Sequence, residues 1–299
     1  MKLSSEKNIM RVNAIVIGAG PAGISAALYL LRAEIPVTIF YKDMGALAKA
    51  HLIDNYYGFD VPPSGPELFD RGLAQAKRLG ADIRQEEVVG MVWGNEKAMD
   101  VLTKNGVFPA DVVIMATGTS RIAPKIPGLR ELEGHGVSYC AICDAFFYRQ
   151  KRVAVFGAGE YALHEANVLL PTSAEVTIFT QGKTPEFNDM PEGIRIETRK
   201  IKQLNGSEKL TAVELEDGTI IEEEGFFVAV GTAGTADFAR KLGAEIDGAR
   251  IVVDENCKTT IDGVYAVGDC NGGLLQVAKA VADGAKAGTH AIKYLKSLA

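Results

Sequence analysis

The sequence predicts an α/β fold made of two copies of one unit, the second set inside the first. Three observations predict this. Ala14-Ile15-Val16-Ile17 has the apolar continuity of a buried strand, and Gly18-Ala19-Gly20-Pro21-Ala22-Gly23, a helical stretch to Arg32 and a second strand, Val37–Phe40, follow it. The same order returns in Val153–Phe156, Gly157-Ala158-Gly159-Glu160-Tyr161-Ala162, helical Leu163–Leu170 and Val176–Phe179. Two further buried strands, Asp111–Met115 and Phe226–Val230, each run into a turn of small residues. Strand, G-x-G-x-x-G, helix, strand is the fingerprint of dinucleotide binding in its required context. The expected architecture is therefore two Rossmann-like, three-layer ββα domains of the dinucleotide-binding type.

In the first unit the glycines let backbone approach a pyrophosphate, and the helix behind them offers it free N–H groups and a positive dipole end. Gly18, Gly20, Pro21, Ala22 and Gly23 are the candidate contacts. The acid expected after the second strand is missing: Tyr41-Lys42 stands there and Asp43 comes two residues late. Asp54-Asn55-Tyr56-Tyr57-Gly58-Phe59 is an aromatic-rich turn, readable as core packing or as a loop against a flat ring, with Asn55 its candidate contact. Pro62-Pro63-Ser64-Gly65-Pro66 breaks the chain, and Glu67–Leu79 reads as an amphipathic helix. Ala81–Thr103 reads as a small antiparallel meander with turns at Gly90, Gly94 and Asn105-Gly106. Asp111–Met115 ends in Ala116-Thr117-Gly118-Thr119, where Thr117 and Gly118 can approach a ligand. Arg121–Pro127 looks like a linker, so a boundary is expected near Gly118.

The inserted stretch opens on Cys140-Ala141-Ile142-Cys143-Asp144, followed by Ala145–Arg149, which reads as the first turns of a helix. A cysteine near a helix N-terminus is biased toward thiolate, the species that attacks a disulfide. Asp144 stands next to Cys143 and can move a proton for it. A zinc half-site and plain packing are the competing readings of a bare C-x-x-C. The second glycine loop is a damaged copy of the first. Glu160 places a carboxylate where a pyrophosphate belongs, and Tyr161 is bulky where close approach is needed. Thr180-Gln181-Gly182-Lys183 offers no acid for a ribose and no arginine cluster for a 2′-phosphate. The second domain is therefore expected to lack a nucleotide.

Short strands are expected over Ile194–Glu216, and the chain returns to the first domain near Ala236. The expected domains are 1–117 with 237–299, and 118–236 inserted between them. Arg250–Asp254 reads as a strand, and Gly263–Cys270 as strand plus turn, where Gly268 and Asp269 suit a ribitol or ribose hydroxyl beside a pyrophosphate. Leu274–Leu298 reads as one long helix. Gln276 and Val277 lie at its start, where free N–H groups can meet an electron-rich ring edge or simply be capped.

Bulk properties narrow the function. The 299 residues suit two domains. A net charge of −6 gives no sign of a nucleic-acid partner. No apolar run is long enough to span a bilayer, and Met1–Asn13 lacks the apolar region of a signal peptide, so a cytoplasmic protein without a membrane partner is expected. Cys257 and Cys270 with the first pair match no structural-zinc spacing, so no metal is expected. The four histidines are scattered and receive no role; His135, five residues before Cys140, is the one to test.

Gly18-Ala-Gly-Pro-Ala-Gly23, Ala116-Thr-Gly118, Gly136-Val-Ser-Tyr-Cys140-Ala-Ile-Cys143-Asp144, Gly157-Ala-Gly159 and Gly268-Asp269 with Gln276 resemble the low-molecular-weight thioredoxin reductases over nearly the whole chain. The resemblance implies non-covalent FAD in the first domain and a redox disulfide in the second. It implies domains that rotate so that Cys140–Cys143 alternates between flavin and thioredoxin, Asp144 as proton donor, and a homodimer. NADPH-dependent members carry basic residues after the strand matching Val176–Phe179; this chain has Thr180-Gln181-Gly182-Lys183 there. Gly45-Ala46-Leu47 replaces the usual Gly-Gly-Gln-Leu. These departures resemble the flavin-type ferredoxin–thioredoxin reductases, which implies reduced ferredoxin as electron donor, with Arg149, Lys151 and Arg152 as candidate contacts. The alternatives are an NADPH-dependent thioredoxin reductase and a non-catalytic redox-sensing flavoprotein.

Overall fold

The structure, a computed structural model, describes residues 12–118, 124–139, 141–187, 190–230, 235–248 and 250–298. The first unit begins with β1 (Ala14–Ile17), α1 (Pro21–Arg32) and β2 (Val37–Phe40). Every residue of β1 is buried, as befits a parallel strand covered on both faces. Helix α2 (Gly65–Arg78) starts on a capping box, in which the Ser64 hydroxyl accepts the Glu67 N–H and the Glu67 carboxylate accepts the Ser64 N–H. Strand β3 (Asp82–Arg84) joins the sheet edge, and β4 (Val88–Trp93), β5 (Met99–Thr103) and β6 (Gly106–Ala110) form a separate antiparallel meander before β7 (Val112–Met115).

Next come β8 (Val137–Ser138), α3 (Ala141–Asp144), β9 (Arg152–Phe156), α4 (Glu160–Leu169), β10 (Glu175–Phe179), β11 (Ile194–Glu197), β12 (Ile201–Gly206), β13 (Leu210–Leu215), β14 (Ile220–Glu222) and β15 (Gly225–Val228). The chain closes with α5 (Thr235–Leu242), β16 (Ile246–Asp247), β17 (Arg250–Ile251), β18 (Val264–Ala266) and α6 (Val277–Leu298).

Two five-stranded parallel sheets result, ordered β18-β7-β1-β2-β3 and β11-β10-β9-β15-β8. The first takes its last strand from beyond the second, so one unit is inserted in the other. Each carries its own antiparallel three-stranded layer, β4–β6 and β12–β14. This is the expected pair of Rossmann-like units. Helices α1 and α6 form the most extensive helix pair. Small residues allow it: a Cβ on Gly284 of α6 would stand 2.2 Å from the Ala22 carbonyl oxygen. A continuous apolar core runs through both units, from Ile17, Met91 and Met99 to Leu163, Val155 and Phe227.

Several local expectations are corrected. Gly90 lies inside β4 rather than at a turn, and the meander includes Gly106–Ala110 while Asp82–Arg84 belongs to the parallel sheet. Helix α4 begins at Glu160, three residues early, and α6 begins at Val277, three residues late. The strand expected over Arg250–Asp254 is only two residues long. The helix expected after Cys143 is a four-residue turn, Ala141–Asp144, continued by a 3-10 turn, Ala145–Tyr148.

Candidate active site

The cofactor-binding candidates converge at the C-terminal edge of the first sheet, where open α/β sheets hold ligands. Gly18 follows β1 with φ +110°, and a Cβ there would meet the Ala116 carbonyl oxygen at 2.3 Å. Gly23 is equally constrained, 2.0 Å from the Gly18 carbonyl oxygen, whereas a Cβ on Gly20 meets nothing within 4 Å. Gly18 and Gly23 therefore press the loop against its own fold, and Gly20 leaves room on the ligand side. Helix α1 has Pro21 at its start, no side-chain cap and no acid in its first turn, leaving its N-terminus to an anion. Thr117 and Gly118 (φ +76°) follow β7. Gly268 and Asp269 follow β18 in a 3-10 turn, and a Cβ on Gly268 would stand 2.9 Å from that of Ala22. Burial holds the Asp269 carboxyl above its ordinary range. Gln276 precedes α6, and its Oε1 accepts a hydrogen bond from Asn55 Nδ2 at 2.9 Å, which ties the aromatic loop to the helix start that Val277 opens.

Sequence reasoning missed the clamp behind this turn. Lys279 Nζ donates to the carbonyls of Gly268 at 2.7 Å and Gly272 at 2.6 Å, bonds Asn271 Oδ1, and pairs with Asp283 at 2.7 Å. Asp283 in turn accepts the Gly268 N–H. The signal present in the sequence is a Lys and an Asp four residues apart in a helix start otherwise rich in alanine.

Cys140 lies outside the described residues, as does the Cys143 side chain, so the dithiol geometry is not placed here. Its surroundings are. Asp144 Oδ2 accepts the Ser138 hydroxyl at 2.7 Å. Ala141 N–H donates to Glu165 Oε2 at 2.8 Å, and Lys241 Nζ donates to Glu165 Oε1 at 2.6 Å. Phe146 and Phe147, in the next turn, are 68% and 66% exposed, with the Arg149 guanidinium over the Phe146 ring. Lys151 lies over Tyr148, and Arg152 is paired with Glu222.

The second glycine loop is filled by its own chain. Glu160 is the first residue of α4 and pairs with Lys104 of the first unit at 3.5 Å. The segment around Glu186 crosses the loop, its N–H donating to the Ala158 carbonyl at 2.7 Å beside a bridge to Gly159. Glu86, Glu87, Glu160 and Glu186 line the resulting cleft with Lys42 and Lys104, a cavity of about 300 Å³. Burial raises the Glu87 carboxyl although Lys42 pairs with it. Tyr161 is buried. Thr180 turns its hydroxyl to the Lys183 carbonyl, and Gln181 bonds Ile201 through both ends of its amide. Cys257 and Cys270 are free and buried, and no metal-ligand cluster exists among the described residues. Among the described residues His135 makes backbone hydrogen bonds with Leu132 and Leu210, and no helix among them is long and apolar enough to cross a membrane.

Fold and loops define a dinucleotide-binding protein of two Rossmann-like units, and residues 12–284 match the pyridine nucleotide-disulphide oxidoreductase family. The chain belongs to the thioredoxin reductases within it. A thioredoxin reductase of Listeria monocytogenes is 31% identical across 99% of this chain and 97% of its own. The atypical thioredoxin reductase TRi of Desulfovibrio vulgaris Hildenborough is 43% identical over 96% of this chain and 98% of its own, with a TM-score of 0.91. Two crystal structures of a ferredoxin-flavin thioredoxin reductase from Clostridium acetobutylicum, 28% and 29% identical, cover 95% and 96% of this chain and 98% of their own; their TM-scores are 0.74 and 0.62. The chain is accordingly an FAD-dependent disulfide oxidoreductase. The open side of Gly20 and the uncapped α1 fit the cofactor's pyrophosphate.

Proposed function

We propose that this enzyme reduces the disulfide of thioredoxin through Cys140 and Cys143, taking its electrons from reduced ferredoxin. The observation that carries the choice of donor is the closed second glycine loop. Glu160 holds a carboxylate at the N-terminus of α4, and the Glu186 segment lies across the same loop. An incoming pyrophosphate meets charge of its own sign in the first turn of α4 and a chain segment lying across the loop it would need. The ferredoxin-flavin relative points the same way.

FAD, when bound by the Gly18–Gly23 loop, Thr117-Gly118, Gly268-Asp269 and the start of α6, exchanges electrons one or two at a time, which suits a one-electron donor. Asn55 and Gln276 tie the aromatic loop to the start of α6, the two segments that would hold its ring. Asp144, held by the Ser138 hydroxyl, gives and takes the proton of the neighbouring thiol. Phe146 and Phe147 form the apolar surface on which thioredoxin docks. Of the three cations expected to meet ferredoxin, Arg152 is spent on Glu222, leaving Arg149 and Lys151 as the candidates. We place the domain boundaries near 118 and 236 and the protein in the cytoplasm as a homodimer.

The second reading, NADPH as donor, is favoured by the pyridine-nucleotide family match. Anaerobic mixing separates the two. Reduced ferredoxin is expected to support thioredoxin turnover, and a modest excess of NADPH is expected to leave the flavin band unbleached on that timescale. Bleaching by NADPH at catalytic speed overturns the ferredoxin reading. A Cys143→Ser chain that turns over normally overturns the dithiol.

A further inference from the structure

His164, on α4 of the inserted unit, meets β4 of the flavin-binding unit at Gly90. A Cβ on Gly90 would stand 3.2 Å from His164 Nε2 and 2.9 Å from Leu102 Cδ1. Gly90 lies inside β4 and has no positive φ, so glycine serves space there rather than backbone freedom. The missing side chain makes a notch, and the edge of the imidazole fills it. Nε2 is buried and has no hydrogen-bond partner among the described residues. A cavity of about 390 Å³ opens beside the ring, lined by Thr103, Asn105 and Asn167 among others, and gives water and protons a way to the imidazole.

The charged groups around the ring are engaged elsewhere. Glu165, the next residue of α4, bonds Lys241 of α5 at 2.6 Å, and both side chains are buried. Glu160, one turn before His164, pairs with Lys104 of the flavin-binding unit at 3.5 Å. Strand β4 carries no titratable side chain, and Asp100 of β5 lies opposite Val92, two residues along from Gly90. Arg240 of α5 lies over Tyr139. None of these groups is within hydrogen-bond reach of Nε2. A proton on Nε2 puts a cation into a buried contact with no acceptor for it, which is costly. We propose that His164 makes the contact between the two units pH-sensitive: neutral, its ring seats in the Gly90 notch and fastens the inserted unit to the flavin-binding unit; protonated, it loosens that contact. The device concerns the fit of the units and is independent of the electron donor. Burial holds the imidazole below its ordinary 6.5; Glu165 opposes this and Lys241 adds to it. The fastening is therefore fully present above 6.5 and is lost as pH falls through the lowered value. Glu87, in the neighbouring cleft, works the other way: burial raises its carboxyl against the pull of Lys42, so it takes up a proton more readily with the units together.

The test is amide hydrogen exchange, read by mass spectrometry on the FAD-loaded full chain at pH 7.5 and pH 5 and corrected for the intrinsic rate at each pH. Peptides covering β4 and α4 report the contact, and peptides covering β12–β14, a separate sheet layer, report the fold. In the unaltered chain, opening of the contact is expected to become about tenfold more frequent at pH 5, with β12–β14 unchanged. His164→Gln does not titrate and is expected to remove the loosening. Glu87 contributes alike to both chains, so the comparison reads His164 alone. If His164→Gln does not fold, His164→Leu, which occupies the notch without titrating, is read in the same way. An equal pH response in the altered and unaltered chains overturns the proposal. Loosening that extends to β12–β14 is general acid unfolding and overturns it as well.

Discussion

Glu223 carries a buried carboxyl whose Oε2 has no hydrogen-bond partner among the described residues. Burial, and then the charge of Glu175, push it up to about 8 from an ordinary 4.5. The folded chain therefore keeps a proton that the unfolded chain releases near 4.5. The stability linked to this group is fully present below 4.5 and is lost as pH rises through 8. Glu223→Gln keeps the shape without the charge. It is expected to leave the unfolding midpoint at pH 5 nearly unchanged and to raise stability at pH 8.5 by on the order of 1–3 kcal/mol, read by urea titration at the two pH values. Lys279 makes the opposite case: its ammonium stabilises the cofactor turn from behind by holding two backbone carbonyls and Asp283 together. Lys279→Met leaves those acceptors and the Asp283 charge unpaired. The FAD dissociation constant is expected to rise about tenfold, the equivalent of about 1.4 kcal/mol, as measured by flavin fluorescence on dilution.

Helices α1 and α6 bring both ends of the flavin-binding unit to one cofactor site, and their contact is close because Gly284 and Gly288 face Ala22 and Ala26. Gly284→Ala puts a methyl group 2.2 Å from the Ala22 carbonyl oxygen. The helices must move apart, and overpacking of this kind costs about 1–3 kcal/mol. A lower unfolding midpoint is expected in the FAD-free protein, with a larger loss in the FAD-loaded one because the pyrophosphate end of α1 shifts too. Both are read by thermal unfolding. Elements with a local cause were legible in the sequence: β1, α1 and β2 follow from a glycine pattern that serves one ligand, and α2 from Ser64 and Glu67. Gly90 was misread as a turn because the reason for glycine there is tertiary. A Cβ at that position would stand 2.9 Å from Leu102 and 3.2 Å from His164, which the chain brings in from far away. The start of α6 was misplaced because Leu274 and Leu275, apolar enough to suggest helix, are instead exposed. Glu160 was legible as an anion blocking a helix end, but the Glu186 segment that crosses the same loop has no signature of its own. Neither has the pairing of Glu165 with Lys241, 76 residues apart.

Across the whole molecule, the apolar pair Phe146 and Phe147 adjoins the cations Arg149 and Lys151 proposed to meet ferredoxin, and the two contacts, one apolar and one charged, should still be separable by mutation. The apolar contact is the better defined. Phe146 and Phe147 begin three residues after Cys143, their rings meet edge to face with centroids 5.9 Å apart, and both are mostly exposed. Two exposed phenylalanines side by side lose hydrophobic free energy in water and recover it only against another apolar surface. Neither contributes to the core of its own unit, so truncating one should cost little stability. Phe147→Ala removes part of the docking surface without touching the glycine loops, the α1–α6 contact or the closed second loop. The KM for thioredoxin is expected to rise about tenfold, in keeping with the 1–2 kcal/mol carried by a good aromatic anchor. The rate at which reduced ferredoxin reduces the flavin, measured by stopped flow without thioredoxin, is expected to stay within a factor of two. A parallel fall in both rates would place the two partners on one surface and deny the separation. An unchanged KM would remove these phenylalanines from thioredoxin docking.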